Sequence, residues 1–151
     1  MSLLRVMVDA DVLFAGSASP SDRSASTVVL RLSDLTLIDG VASEQVVAEA
    51  EKNLAEKVAA AVPQFQELAA ACLRVVPDPT PDEVLALSGS ADPKDLPILT
   101  AAVRERCGVL VTFNERDYRP GHPDVEVMTP GVLLQRVRHL LAWAGTSGRG
   151  E

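Results

Sequence analysis

The chain alternates short apolar segments with longer segments of helical pattern, and this alternation constrains its fold more than any other feature. A short apolar run that ends at a polar or turn residue is typical of a buried strand. Residues 4–8, 35–38, 73–76, 109–112 and 125–128 have this pattern. Strands that alternate with helices favour a parallel sheet covered on both faces. The sequence therefore predicts a three-layer α/β/α domain with a central, mainly parallel sheet of about five strands.

Helices are predicted between these strands and after the last one. Serine or threonine caps and prolines at the first helical position mark several of their starts. The predicted helices are residues 21–32, residues 43–61 capped by Ser43, residues 64–72, a helix that begins at Thr80-Pro81, residues 95–106, and a helix from Thr129-Pro130 to about Trp143.

The length of 151 residues, with 47% hydrophobic and 23% charged residues, suits one globular domain with one core. We expect residues 1–144 to form this domain and the Gly/Ser-rich residues 145–151 to form a flexible tail. A loop is expected at residues 17–21 and a turn at Asp39-Gly40. No apolar run approaches the roughly 18–20 residues of a membrane span. The N-terminus lacks the pattern of a signal peptide, so we expect a cytoplasmic protein with no membrane partner.

The net charge, 14 − 21 = −7, argues against a protein that coats nucleic acid by charge alone. It does not exclude a nuclease, because a carboxylate-rich metal site makes its own domain acidic. The two cysteines, Cys72 and Cys107, lie in Ala- and Val-rich surroundings and are expected to be buried free thiols.

Polar side chains from four segments are expected at one edge of the predicted sheet. In open parallel sheets, ligands bind beyond the carboxyl ends of the strands. The side chains expected there are Asp9 and Asp11 after the first strand, Glu49 in the helix after the second, Asp92 and Asp95 before the fourth, and Thr112, Asn114 and Asp117 after the fourth.

Each of these acids has an ordinary structural interpretation when taken alone. Asp9 or Asp11 is a suitable helix cap, Glu49 suits a solvated helix face, and Asp92-Pro93 is a turn dipeptide; Asp95 suits the first turn of a helix. Taken together, however, several like charges at one site repel and raise one another's pKa. A divalent cation relieves that repulsion. Oxygen ligands without clustered His or Cys favour Mg²⁺ or Mn²⁺ over Zn²⁺.

Five segments also match a known set of motifs in order and spacing. Residues 6–13 are a hydrophobic strand followed by Asp-Ala-Asp-Val-Leu, where the motif has Asp-Thr-Asn-Val-Leu. Residues 43–49 match a motif of Ser, an apolar pair and Glu. Residues 92–102 match the third motif most specifically, residues 111–118 match Thr-Phe-Asn-x-x-Asp-Phe, and residues 125–134 match a closing strand and helix. Over nearly its whole length the chain resembles the PIN domain family.

The resemblance implies an activity and its cofactor. PIN domains are Mg²⁺- or Mn²⁺-dependent ribonucleases, and small single-domain members are often the toxins of VapC-like toxin–antitoxin pairs. It therefore implies an RNA substrate, an antitoxin partner and pairing as a homodimer. Carried over by motif, Asp9, Glu49 and Asp95 match the acidic triad and Asp117 the fourth acid of the catalytic set. Asp9, Asp95 and Asp117 are the implied metal ligands, and Asp11, Asp92, Thr112 and Asn114 the supporting residues.

Two residues depart from the family pattern. Ala10 stands where the family has Thr or Ser, so a hydroxyl that orients phosphate or water is missing. Asp11 stands where the family has Asn, which adds a negative charge beside the site. The first departure is expected to weaken activity, and the second to alter metal affinity or the pH optimum.

RNA contacts and a partner surface complete the hypothesis. Arg116 and Arg119 flank Asn114 and Asp117 and are the best candidates for phosphate contacts; Lys94 and Arg23 are weaker ones. The helical hairpin of residues 43–72 is the expected clamp for an antitoxin.

Three other functions fit parts of the pattern. Asp9-Ala10-Asp11 fits the Asp-x-Asp pair of a haloacid-dehalogenase-type phosphatase, but Val12-Leu13 follows where Gly-Thr is expected. A receiver domain needs an exposed acid after its third strand, which Val76-Pro77-Asp78 fits poorly. A non-catalytic interaction module of PIN-like fold would explain the two departures, although the acids in all four matched segments are intact.

Overall fold

The computed structural model describes residues 3–18 and 24–149, with side chains described as far as residue 142. All neighbouring strands of its single sheet are parallel. The strand order is β3-β2-β1-β4-β5, which confirms the predicted architecture. The strands are β1 (Arg5–Val8), β2 (Asp39–Ser43), β3 (Arg74–Val76), β4 (Val109–Val111) and β5 (Glu126–Met128).

The helices connect these strands and continue after β5. They are α1 (Ala10–Ala18), α2 (Ala25–Asp34), α3 (Glu44–Lys57), α4 (Val62–Cys72), α5 (Pro81–Ala86), α6 (Leu96–Arg104) and α7 (Pro130–Arg149), with single 3₁₀ turns at Ala59–Ala61 and Glu115–Tyr118. From β1 to β3 the chain moves one way across the sheet, and from β3 to β4 it returns past β1. Since such crossovers are right-handed, α1–α4 cover one face and α5–α6 the other.

The strand order positions the site, because it reverses at β1. Strands β2 and β3 lie on one side of β1, and β4 and β5 lie on the other. Connections that leave a sheet in opposite directions open a crevice at the carboxyl ends of the two central strands. Those ends are Val8 of β1 and Val111 of β4, which are paired and fully buried. The residues that follow them line the crevice.

The second strand was predicted at the wrong place. Residues 35–38 precede β2, and Leu35 and Leu37 are exposed. The Asp39 carboxylate bonds to Arg5 (3.0 Å) and Arg74 (2.7 Å) on the two neighbouring strands and so fixes the register of β2. Asp39 and Gly40 are therefore the first residues of a strand, and the expected turn is absent from this described segment.

The region after β1 also differs from the prediction. Helix α1 follows β1 directly, because the Asp9 carbonyl accepts hydrogen bonds from the N–H groups of Val12 and Leu13 at 3.2 Å each. Ser17, expected in a loop, is therefore helical. The helix predicted from residue 21 begins at Ala25 with Ser24 as its cap. The predicted start at Ser21 lies outside the described residues.

Several predicted helix boundaries are confirmed and others shift. Ser43 caps α3 and Thr80 caps α5, in the latter case with a reciprocal bond from Glu83. Helix α3 ends at Lys57 instead of Ala61, and the backbone of α7 continues to Arg149, well beyond Trp143. Both cysteines are buried and free, as predicted. Within the described ranges, no helix has the length and apolarity needed to cross a membrane.

Candidate active site

Asp9 is the most buried acid at the carboxyl edge of the sheet. It follows β1, and its N–H donates to the Val111 carbonyl of β4 (3.0 Å). The residue is 7% exposed, and its carboxylate accepts three hydrogen bonds. The Ala10 N–H donates to Oδ1 (2.7 Å), and the hydroxyls of Thr112 and Tyr118 both donate to Oδ2 (2.8 Å each). These bonds fix the orientation of Asp9 and compensate the loss of water on burial.

Asp11 lies two residues after Asp9, in the first turn of α1, and its two carboxylate oxygens have different surroundings. Its Oδ2 accepts from the Phe113 N–H (3.0 Å) and from the Asn114 side-chain amide (3.2 Å). Its Oδ1 is buried and has no hydrogen-bond partner in the part of the chain that the structure describes. Burial, and then the negative charge of Asp9, raise the pKa of Asp11 to about 6. The negative charge of Asp11 therefore lowers the stability of the metal-free protein.

Glu49 approaches the same edge from α3. Its side chain is solvent-exposed, and α3 is anchored beneath it by the buried side chains Val46 and Ala50. Partial loss of water raises the pKa of Glu49, and the negative charges of Asp9 and Asp95 raise it further. Because the charges of Asp9 and Asp95 act on Glu49, the Glu49 carboxylate lies near these two acids at the same edge of the sheet.

Asp95 and Asp117 share the ammonium group of Lys94. The Nζ atom lies 2.9 Å from Oδ2 of each acid. Asp95 occupies the cap position of α6 but makes no capping bond with its side chain, which is turned to Lys94 instead. Desolvation raises the pKa of Asp95, Lys94 opposes that effect, and Asp9 and Asp117 add to it. The two ion pairs raise the pKa of Lys94, so it remains a cation at neutral pH.

The structure thus brings together Asp9, Glu49, Asp95 and Asp117, together with Asp11, Thr112 and Asn114. Asp92 has a different position: it is exposed, and its carboxylate accepts from the Lys94 N–H (3.1 Å) in the turn that starts α6. Its contact with the site is made by the backbone, through a bond from its N–H to the Asp117 carbonyl (2.7 Å). Arg116 and Arg119 are exposed on the segment that carries Asp117.

Two contacts at the site were not predicted. Tyr118 ends the fourth motif, where the family pattern has Phe, and its buried hydroxyl holds Asp9. That substitution was the available signal, since a hydroxyl at a buried position requires a partner. Lys94 was one of the weaker candidates for a phosphate contact, and the structure places its ammonium between two acids. Nothing local in the sequence indicates that bridge.

The arrangement offers oxygen ligands for a hard divalent cation. In the part of the chain that the structure describes, no three acidic, thiol or imidazole groups are already spaced to hold one ion. The donor set nevertheless suits one: carboxylates from four segments, a cation already held between two of them, and a buried oxygen of Asp11 without a partner.

The fold and this edge define a doubly wound α/β domain with an acidic, cation-attracting site at its switch point. A family model described as PIN domain matches residues 5–116, which is more than half of the chain. The chain belongs to the PIN domain family. Membership in this family rules out the two alternatives of a haloacid-dehalogenase-type phosphatase and a receiver domain.

Solved structures with the same fold differ widely from it in sequence. A toxin–antitoxin complex from Klebsiella pneumoniae is 18% identical, with a TM-score of 0.61 over 83% of this chain and 97% of that chain. A protein from Pyrobaculum aerophilum is 19% identical, with a TM-score of 0.65 over 90% and 96%. VapC20 of Mycobacterium tuberculosis, a sarcin–ricin loop cleaving toxin, is 15% identical, with a TM-score of 0.51 over 70% and 86%. No curated protein matches the chain in sequence.

The raised pKa of Asp11 predicts a pH-dependent stability. Because the folded-state pKa of about 6 exceeds the ordinary 3.8, the folded chain binds this proton more tightly than the unfolded chain does. Metal-free stability should therefore fall as the pH rises from about 4 to about 6, and stay reduced above that. Asp11→Asn keeps the acceptor and removes the charge, so it should stabilise the fold at pH 7 and have little effect near pH 4.

Urea unfolding in EDTA across this pH range measures the difference. Glu67→Gln is the control, because Glu67 is exposed on α4, a helix that carries none of the site acids. If Asp11→Asn changed the free energy of unfolding equally at pH 4 and pH 7, the raised pKa of Asp11 would not be the cause of the pH dependence.

Proposed function

We propose that the chain is a Mg²⁺- or Mn²⁺-dependent ribonuclease and the toxin of a toxin–antitoxin pair, acting in the cytoplasm. The observation that carries the proposal is the convergence of Asp9, Glu49, Asp95 and Asp117 from four segments, with a cation held between two of them. The family membership supports a nuclease, and the M. tuberculosis toxin of the same fold is named for cleaving RNA.

Asp9, Asp95 and Asp117 are the residues that would hold the metal. Lys94 serves as a stand-in for it, because its ammonium lies 2.9 Å from a carboxylate oxygen of both Asp95 and Asp117. The Lys94 side chain is 65% exposed, so it can leave these acids without disturbing the core. A bound Mg²⁺ or Mn²⁺ supplies Lewis-acid chemistry: it lowers the pKa of water and neutralises charge on the phosphate.

Glu49 is the carboxylate best placed to take the proton of the attacking water. Its side chain is exposed at the site, so it can contact a water molecule, and it is not among the residues proposed to hold the metal. Asp11 is less suitable, because its Oδ2 already accepts several hydrogen bonds and its Oδ1 is shielded from solvent. Thr112 and Tyr118 keep Asp9 oriented, and Lys94, Arg116 and Arg119 are the cations available to RNA phosphates.

Asp9→Asn should reduce RNA cleavage by more than about a hundredfold, since changing even the partners of metal ligands costs about 10–100-fold. The assay is Mg²⁺- or Mn²⁺-dependent cleavage of a panel of tRNA, rRNA and mRNA fragments. Asp82→Asn, an exposed acid in the first turn of α5, is the control and should cleave normally. If the folded wild-type chain cleaves no RNA with either metal, or Asp9→Asn cleaves normally, the proposal fails. A folded but inactive wild type would favour the non-catalytic module.

Metal binding is tested separately by thermal unfolding. Mn²⁺ should raise the melting temperature by mass action on the folded state, and more so as the pH rises from about 5.5 to 8, because protons compete for the same oxygens. Lys94→Met should lower the metal-free melting temperature slightly and enlarge the Mn²⁺-dependent rise, because it removes the competing ammonium. Lys52→Met, at an exposed position of α3, should behave as wild type. No Mn²⁺-dependent shift in any of the three proteins would exclude a metal site.

An antitoxin is the protein partner that we propose, and a groove between helices is its docking surface. The groove has a volume of about 370 Å³ and lies between the ends of α1 and α2 and the hairpin that links α3 to α4. Two of its lining residues are Ala60 and Ser17, and the buried Ser17 hydroxyl has no hydrogen-bond partner among the described residues. The apolar faces of the hairpin itself pack inward through Leu54 and Phe65, so the partner must use the groove and not those faces.

If the gene of this chain has an antitoxin gene beside it, Ala60→Glu should prevent co-purification with the product of that gene, because it places a charge in the groove. Ala55→Glu, an exposed alanine of α3 outside the groove, is the matched control and should not. Equal co-purification with both variants would rule out the groove. Light scattering on the same preparations measures whether the free chain is a homodimer, for which the exposed Leu140 and Leu141 of α7 offer an apolar surface.

A further inference from the structure

A second cavity lies beside the acidic site, on the segment between β4 and Pro120. Its volume is about 480 Å³, and it shares Asn114 and Asp117 with the site already described. Its other lining residues are Phe113, Glu115, Arg116 and Arg119. Ligand cavities in proteins range from about 300 to 1,000 Å³, so this space is large enough for a small organic group.

Phe113 presents an aromatic ring to this cavity on a fixed backbone. The residue is 50% exposed, although a large apolar side chain is normally buried when the fold permits it. Its N–H donates to Asp11 Oδ2 (3.0 Å), and the next N–H, of Asn114, donates to the Thr112 hydroxyl (3.1 Å). The Asp11 carboxylate and the Thr112 hydroxyl thus fix the backbone at Phe113, while the ring of Phe113 remains exposed.

The other aromatic side chains that the structure describes are not available in this way. Phe65 and Tyr118 are buried, and Phe14 is partly covered, with the Lys57 ammonium 5.5 Å from its ring centre. Among the described aromatic residues, Phe113 is therefore the one with an exposed ring next to the acids. It belongs to the same short segment as Asp117 and lines the same cavity.

Arg116 and Arg119 add positive charge to the same cavity. Both are exposed, and neither has an ion-pair partner among the residues that the structure describes. By contrast, Arg5 and Arg74 pair with Asp39, and Arg136 pairs with Glu126. A guanidinium group without an acidic partner is suited to bidentate contact with phosphate.

We propose that this cavity is a nucleotide subsite, in which a base next to the cleaved phosphate stacks on Phe113 and its own phosphate pairs with Arg116 and Arg119. The inference rests on the proposed ribonuclease function and adds a recognition site to it. A ring beside two guanidinium groups matches the two halves of a nucleotide, and stacking on a ring accepts any base. The shared residues Asn114 and Asp117 place this nucleotide directly beside the acids. Asp11 acquires a role, since it holds the Phe113 backbone.

The test measures binding of fluorescein-labelled oligoadenylate by anisotropy, in an Asp9→Asn background with EDTA so that cleavage does not interfere. Stacking contributes about 1–3 kcal/mol per base, so Phe113→Ala should weaken binding by about 5- to 150-fold, whereas Phe113→Trp should retain it. Leu85→Ala, which removes a 69% exposed leucine on α5, is the control and should bind as the parent does. Arg116→Gln and Arg119→Gln should each weaken binding and reduce its salt dependence.

The outcomes separate the subsite from the ribonuclease activity. Binding unchanged by Phe113→Ala, or a parent that does not bind oligoadenylate, overturns the subsite even if the wild-type chain cleaves RNA with Mg²⁺ or Mn²⁺. Absence of cleavage by the wild type overturns the ribonuclease proposal independently. If Phe113→Ala binds RNA normally but loses the antitoxin, the ring belongs to a protein interface and the subsite is wrong. Matched thermal unfolding of each variant excludes misfolding as the cause of lost binding.

Discussion

The carboxylate of Asp9 joins the start of α1 to the segment from Thr112 to Tyr118, which is 103 to 109 residues away in sequence. It accepts hydrogen bonds from the Ala10 N–H at the start of α1, from the Thr112 hydroxyl after β4, and from the Tyr118 hydroxyl at the end of a 3₁₀ turn. A buried carboxylate is costly without such partners, so these donors must be in place for the native fold to form. Phe113 and Asp117 lie between Thr112 and Tyr118, and their positions therefore depend on the same bonds.

The negative charges at this edge are compensated in different ways, and these differences indicate which acids a metal ion can reach. Hydrogen bonds compensate Asp9, whereas Asp95 and Asp117 depend on Lys94, whose side chain is largely exposed. Exposed ion pairs contribute only about 0–1 kcal/mol, so a divalent cation can displace Lys94 at little cost. Asp11 keeps one buried oxygen without a partner among the described residues and has a raised pKa, so its negative charge destabilises the metal-free protein.

The architecture and the meeting of the acids could be predicted because both follow from topology. Alternating strands and helices imply a parallel sheet, and the residues after its central strands must lie at one edge. The position of β2 could not be predicted, because Asp39 joins the sheet through arginines 34 and 35 residues away while the apolar Leu35 and Leu37 remain exposed. The bonds of Lys94 to Asp117 and of Tyr118 to Asp9 likewise span 23 and 109 residues, distances at which sequence patterns carry no geometry.

A chain with a net charge of −7 can bind RNA only if its cations are placed where the RNA is held. At physiological ionic strength charges are screened beyond about 8 Å, so acids remote from the site repel RNA little. Lys94, Arg116 and Arg119 surround Asp117 closely, whereas the arginines on the opposite edge of the sheet, Arg5 and Arg74, are paired with Asp39. With so few cations, affinity for RNA must come from a small number of contacts at fixed positions. Under the proposed ribonuclease function, such a surface would select an RNA whose shape presents a phosphate and an unstacked base together, and it would discriminate against polyanions in general.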